Sequence, residues 1–240
     1  MATYVPRKVP ANWYKYDAQF SLELLYEYGK GIEDQLKSSI EDFRSKKETI
    51  ELDSIPEEGL FRVVKVYWGL DDETWHLESV FEDYFPQLQR GGALISLYSF
   101  FENELDALCD LYIQGEGIPI SQTDMKGKGI ERSILFLEKI VGLPIDKNSD
   151  TWKELIDIKK IRNQIVHERG KLIDKSGQKK GDVIKYVEDC PLLDGETEVS
   201  LKEGYLKHTL ETFDAFFKEL DVLIQKRFLD QVAQQKAASR

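Results

Sequence analysis

The strongest constraint on the fold is one uninterrupted stretch, PQLQRGGALISLYSFFENELDALCDLYIQ, residues 86–114. Leu94, Tyr98, Phe101, Leu105, Leu108 and Tyr112 recur there at three- and four-residue spacing, so they form one apolar stripe along a helix. A stripe of that length is stable only when other elements cover it, because its transfer out of water drives folding. The rest of the chain supplies helices to do so. Residues 12–50 carry apolar residues at helical spacing, interrupted by Gly29 and Gly31, and predict one long helix or two joined there. IERSILFLEKIVG predicts a short helix, and SDTWKELIDIKKIRNQIVHERG another, with Ser149 or Asp150 as N-cap and Gly170 as C-cap. LKEGYLKHTLETFDAFFKELDVLIQKRFLDQV predicts a long final helix, with a fraying AQQKAASR tail.

The connecting segments read less regularly. IELDSIPEEG breaks the helical pattern, and GLFRVVKVYWGLDD reads as a short strand or irregular chain. DDETWHLESVFEDYF predicts a helix that ends or kinks at Pro86. GEGIPISQTDMKGKG reads as a loop. DKSGQKKGDVIKYVEDCPLLDGETEVSL is turn-rich, with β-like runs at DVIKYV and TEVSL that predict a small hairpin or extended excursion. The expected class is all-α, a helical bundle with a short β excursion before the last long helix. Residues 1–85 form a mostly helical N-terminal extension in this reading, and residues 86–235 the bundle.

Composition narrows the function classes. No run of eighteen apolar residues occurs, so no membrane-spanning helix is expected. The N-terminus lacks the apolar core of a secretory signal, and two distant cysteines, Cys109 and Cys190, fit a reducing cytoplasm better than a disulfide framework. His76, His167 and His208 are too far apart for a local zinc motif, and no metal or cofactor is expected. MKGKGIERS lacks the spacing of a phosphate-binding loop. The net charge of −11 is a poor start for a nucleic-acid binder. Between Lys159 and Lys171, however, five cations face one Glu168, a local +4.

That basic spot lies in KKIRNQIVHERGKL, residues 159–172. Leu155, Ile158, Ile161 and Ile165 form the apolar stripe of this helix, with Arg162 at its edge. Asn163 and His167 are four apart and share a face. Arg162 and His167 lie about 140° apart on the helix, a gap the long Arg stem can span. The bland reading is a helix end with a cation and a solvated imidazole. By composition an Arg-x4-His pattern arises in roughly a quarter of such chains, and Arg-Asn-x3-His in about one in a hundred.

Arg-Asn-x3-His near the end of a bundle helix, followed by Gly, resembles the HEPN superfamily (higher eukaryotes and prokaryotes nucleotide-binding domain). The resemblance extends over about residues 90–230, including SLYSFFENELDALCDLY and the turn-rich segment before the last helix. It implies a helical bundle acting as a metal-independent endoribonuclease in a toxin, stress or antiphage setting. The implied catalytic residues are Arg162, Asn163, His167 and an acidic residue on the earlier core helix, Glu102. Glu104 flanks the same stripe, and spacing does not choose between them. Lys159, Lys160 and Arg169 would bind substrate. The implied partners are an RNA substrate, a second copy of the chain whose motif faces the first, and an antitoxin protein. Some members keep the fold and only bind, so a non-catalytic nucleotide-binding or protein-interaction module is the alternative.

Overall fold

The computed structural model describes residues 11–55, 60–174, 177–178 and 181–238. The described residues are mostly helical with a small share of strand, so the class is mainly α. Helix α1 spans Gln19–Lys46, entered through a wide π turn at Tyr14–Ala18. It is one helix through both Gly29 and Gly31. Gly29 is buried, and a Cβ there would reach Leu210 at 3.5 Å, so α1 and the last helix approach closely at that point.

After α1 the strand alternative read for GLFRVVKVYWGLDD holds, and a strand that the sequence reading lacked precedes it. Glu48–Ile55 (β1) and Leu60–Tyr67 (β2) pair antiparallel, and Leu70–Asp71 (β3) adds a short third strand. The register slips between Glu51 and Asp53. That bulge breaks the two-residue alternation that would have marked β1. Trp68 and Gly69 both take positive φ in the tight turn between β2 and β3. Phe43, Tyr67, Leu77 and Phe81 form a separate small core that fastens the sheet to α1.

Pro86 does not end a helix. A π-helical stretch, Ser79–Tyr84, runs directly into α2, Phe85–Glu116, and Pro86 sits in its first turn. Helical residues precede Pro86 without a break, and the π-helical stretch just before it is the kind of local irregularity that accommodates a proline inside a helix. All six stripe residues of α2 are fully buried. Phe101 stacks on Phe213 at 4.3 Å and on Phe217 at 4.9 Å.

Helix α3 spans Ile130–Phe136 and continues through a π turn at Leu137–Val141. Helix α4 spans Asp150–Glu168, with the Ser149 hydroxyl accepting from the Trp152 N–H at its start. DVIKYV is not β-like. It belongs to helix α5, Gly181–Asp189, whose Ile184, Tyr186 and Val187 are buried. The hairpin follows, pairing Leu193–Asp194 (β4) with Ser200–Leu201 (β5). Helix α6 then spans Tyr205–Ala238, so most of the tail expected to fray is helical.

Helices α1 and α4 each pack on both α2 and α6 and scarcely touch each other. They therefore flank the α2–α6 pair on opposite sides. Trp13, Ala18 and Leu22 share one apolar core with α2, α4 and α6.

A polar joint docks α5. Glu154 Oε1 on α4 accepts from the Tyr186 hydroxyl on α5 and pairs with His208 Nε2 on α6 at 2.7 Å. The Glu154 hydrogen bond raises the His208 pKa against the opposing effect of burial, and Glu211 adds to the rise. Burial alone would raise Glu154, but its bonds to His208 and Tyr186 leave it lowered. The pair therefore stabilises the fold fully between the unfolded values, about 4.3 for Glu and 6.5 for His. Its contribution fades as pH rises through the raised His208 value, and as pH falls through the lowered Glu154 value. Urea melts from pH 6 to pH 9 are expected to lose stability in the wild type. In His208→Gln the same series should be flatter. Identical slopes would refute the assignment.

Candidate functional site

The motif helix α4 places its residues around Arg162. Ile158 and Ile161 are fully buried and hold the helix against α2. Gly91 on α2 lets the two helices close, since a Cβ there would stand 3.4 Å from Ile165. The Arg162 side chain is one-fifth exposed and leans toward α2. Its guanidinium lies over the Tyr98 ring, 5.5 Å from the centroid. Nη2 is 3.9 Å from Glu102 Oε2, and Nη1 donates to Asn163 Oδ1 at 3.0 Å. Arg162 Nε is buried and has no hydrogen-bond partner among the described residues, and the same holds for the Tyr98 hydroxyl.

The geometry separates the two carboxylates that spacing left open. Glu102 faces Arg162, with Lys159 and Arg132 also in its field. Burial holds Glu102 above its ordinary value, with Arg162 and Lys159 pulling it down. Glu104 is raised by burial too, but its charged neighbour is Asp17, before α1. Glu102 also rests against Gly129, where a Cβ would collide with Oε1 and φ is +55°. Only glycine suits that backbone, so the Glu102 seat depends on it.

The other motif residues are placed less centrally. Lys159 pairs with Glu131 at 2.5 Å, and Lys160 with Asp157 at 2.7 Å. Arg169 is exposed and takes positive φ as the helix C-cap, where the sequence had placed Gly170. Gly170 follows it, donating to Gln164 O at 2.9 Å. His167 is exposed on the last turn. It does not share a contact with Arg162. The Arg stem turns to Tyr98 and Glu102 rather than wrapping toward the imidazole, because an aromatic face and a carboxylate in a half-buried seam attract a guanidinium more strongly than solvent does.

The chain matches no family model, no curated protein and no solved structure.

Tyr98 and Gly129 were absent from the sequence-level site. Tyr98 had a usable signal, because it lies four residues before Glu102 and hence on its side of α2. Among the described residues no group of three or more His, Cys, Asp or Glu could hold a metal ion, and no helix is long and apolar enough to cross a membrane. A cleft of about 740 Å³ between the end of α1 and the sheet contains none of the motif residues.

The arrangement offers a preset cation. Arg44, Arg62, Arg90 and Arg227 each grip a carboxylate with two nitrogens. Arg162 carries five N–H donors, of which one on Nη1 goes to Asn163 and the one on Nε is buried. Its carboxylate stands at ion-pair distance without a hydrogen bond. A planar guanidinium held this way is suited to a bidentate oxyanion such as phosphate.

Proposed function

We propose that this protein is a HEPN-type endoribonuclease that needs no metal. The reading rests on the under-used guanidinium of Arg162, fixed between Tyr98 and Glu102, in a sequence motif with His167 one turn and a half further on. RNA carries its own nucleophile. The 2′-oxygen attacks the adjacent phosphorus as a base removes its proton, and the bond from phosphorus to the 5′-oxygen breaks as an acid protonates that oxygen. The products are a 2′,3′-cyclic phosphate and a 5′-hydroxyl. Arg162 would neutralise charge on the phosphorane, His167 would move the proton, and Asn163 would orient the Arg. Glu102 would set the guanidinium rather than touch substrate. Lys159, Lys160 and Arg169 would hold the RNA strand. Because Arg162 and His167 do not meet within one chain, two copies with facing motifs would complete each site. An antitoxin protein is the expected regulatory partner of such an enzyme.

A second reading has a specific observation behind it. His167 has no described residue orienting its ring, and Glu102 already stands beside Arg162. A non-catalytic nucleotide-binding or interaction module fits those facts. Incubation with RNA in EDTA separates the two. The nuclease reading expects cyclic-phosphate ends, lost by about 10²–10³-fold in Arg162→Ala. Intact RNA with retained nucleotide binding would select the module.

A further inference from the structure

The loop of residues 118–129 between α2 and α3 has no role in the site above, yet it ends against it. A Cβ built on Gly129 would collide with Glu102 Oε1, and Glu102 Oε2 is 3.9 Å from Arg162 Nη2. Gly129 Cα therefore stands within about 10 Å of that nitrogen, and Lys128 Cα within about 14 Å. Glu131, just past the loop, pairs with Lys159 on α4. The loop end is thus tied to both helices that carry the site. Its path is set by its own contacts. Ser121 and Asp124 cap a short turn at Gln122–Asp124, the buried Gln122 donates to Asp110 Oδ1 at 3.2 Å, and Met125 packs on the main core. Gly127 and Gly129 take φ of +107° and +55°, which turn the chain into α3.

We propose that this loop, through Lys126 and Lys128, holds phosphates of the RNA strand that leads away from Arg162. The proposal rests on the ribonuclease reading for its ligand. Of the three cations that the sequence assigns to RNA, two are already engaged, Lys159 by Glu131 and Lys160 by Asp157. Lys126 and Lys128 are exposed, and neither has a partner among the described residues. The carboxylates around the loop have partners of their own. Asp124 accepts from the Ser121 N–H at 2.9 Å, Glu131 is held by Lys159, and Asp106 accepts from Ser133 and pairs with Arg132 at 3.3 Å. In a chain of net charge −11, two uncompensated cations beside a preset guanidinium form a positive surface that a polyanion can reach.

MKGKG would thus meet phosphate without being a phosphate-binding loop, since it offers two side chains and no cradle of N–H groups. An ammonium on a flexible stem grips a phosphate as a point charge and reads no base. The distance from Lys128 to Arg162 suits a few nucleotides of one strand, so the ligand is single-stranded RNA rather than a mononucleotide. These contacts are the same before and during bond breaking. They therefore tighten substrate binding without speeding the chemical step.

Fluorescence anisotropy with an end-labelled single-stranded RNA of about 12 nucleotides tests this on the full chain, in a His167→Ala background that keeps the RNA intact. Each lysine–phosphate contact adds about −0.7 to the slope of log K against log salt. Lys126→Gln with Lys128→Gln should make that slope shallower by about 1.4, and should weaken binding about 25-fold at 0.1 M salt. Lys30→Gln with Lys65→Gln makes the same change in net charge on α1 and β2, and should alter neither quantity. In the cleaving protein the loop pair should raise KM and spare kcat. RNA binding whose salt slope ignores the loop pair, or responds equally to the control pair, overturns the loop assignment and leaves the ribonuclease reading standing. Loop-dependent binding with no cleavage by the wild type supports the loop assignment and removes the nuclease. An absence of RNA binding in every variant overturns both.

Discussion

Replacing His167 by Ala is expected to lower RNA cleavage by about 10²–10⁴-fold, the usual contribution of a general acid–base group. The fold should not notice. His167 is exposed on the last turn of α4 and takes part in neither apolar core. Melting curves of wild type and variant should therefore overlay, which separates a chemical role from a structural one. The same geometry predicts complementation. Arg162 points into the α2 seam while His167 points to solvent, so each site would take them from different copies. Neither Arg162→Ala nor His167→Ala should cleave alone. In an equal mixture that exchanges freely, half of the dimers are mixed and one of their two sites is intact, so roughly a quarter of the activity should return. Two inactive variants that stay inactive when mixed would place both residues in a single-chain site, which the observed side-chain directions do not support. An active His167→Ala would end the acid–base assignment.

The α2 stripe was legible because its six residues answer to one strong requirement, burial along a single helix face. Helix α4 was legible for the same reason, with Ser149 capping it as its position suggested. The failures came where two signals compete. DVIKYV is rich in β-branched residues, yet Ile184, Tyr186 and Val187 gain a helical face against α4, and tertiary burial overrides strand preference. β1 was hidden by its bulge, whereas the β-branched run in GLFRVVKVYWGLDD left open the strand that β2 forms. Pro86 was read as an end or a kink, and the chain stays helical through it, with a π-helical stretch just before the proline. In the site, the helical wheel located Arg162 at the stripe edge but could not say which way a long stem turns. The Tyr98 ring, some sixty residues earlier in sequence, decides that.

The largest stability loss from a polar change is expected at Arg90 and Glu33, and the reason is what each leaves behind. Both side chains are 13% exposed, and they meet through Nε at 3.0 Å and Nη2 at 2.7 Å. Arg90 Nη1 also donates to Leu201 O at 3.2 Å, which accepts from Gln87 Nε2 as well. One guanidinium thus joins α1, α2 and the β4–β5 hairpin. Removing either partner strands a buried charge, so Arg90→Ala or Glu33→Ala should each cost about 3–5 kcal/mol in urea unfolding. For a chain of this size that lowers Tm by roughly 6–20 °C. Replacing both with apolar side chains of similar volume, Arg90→Met with Glu33→Leu, should cost much less than either single change, because no lone charge remains. The two single losses should therefore be far from additive. If Arg90→Ala cost under about 1 kcal/mol, the pair would be behaving as a solvated surface bridge, and its role in holding the hairpin against α2 would have to be given to Gln87 alone.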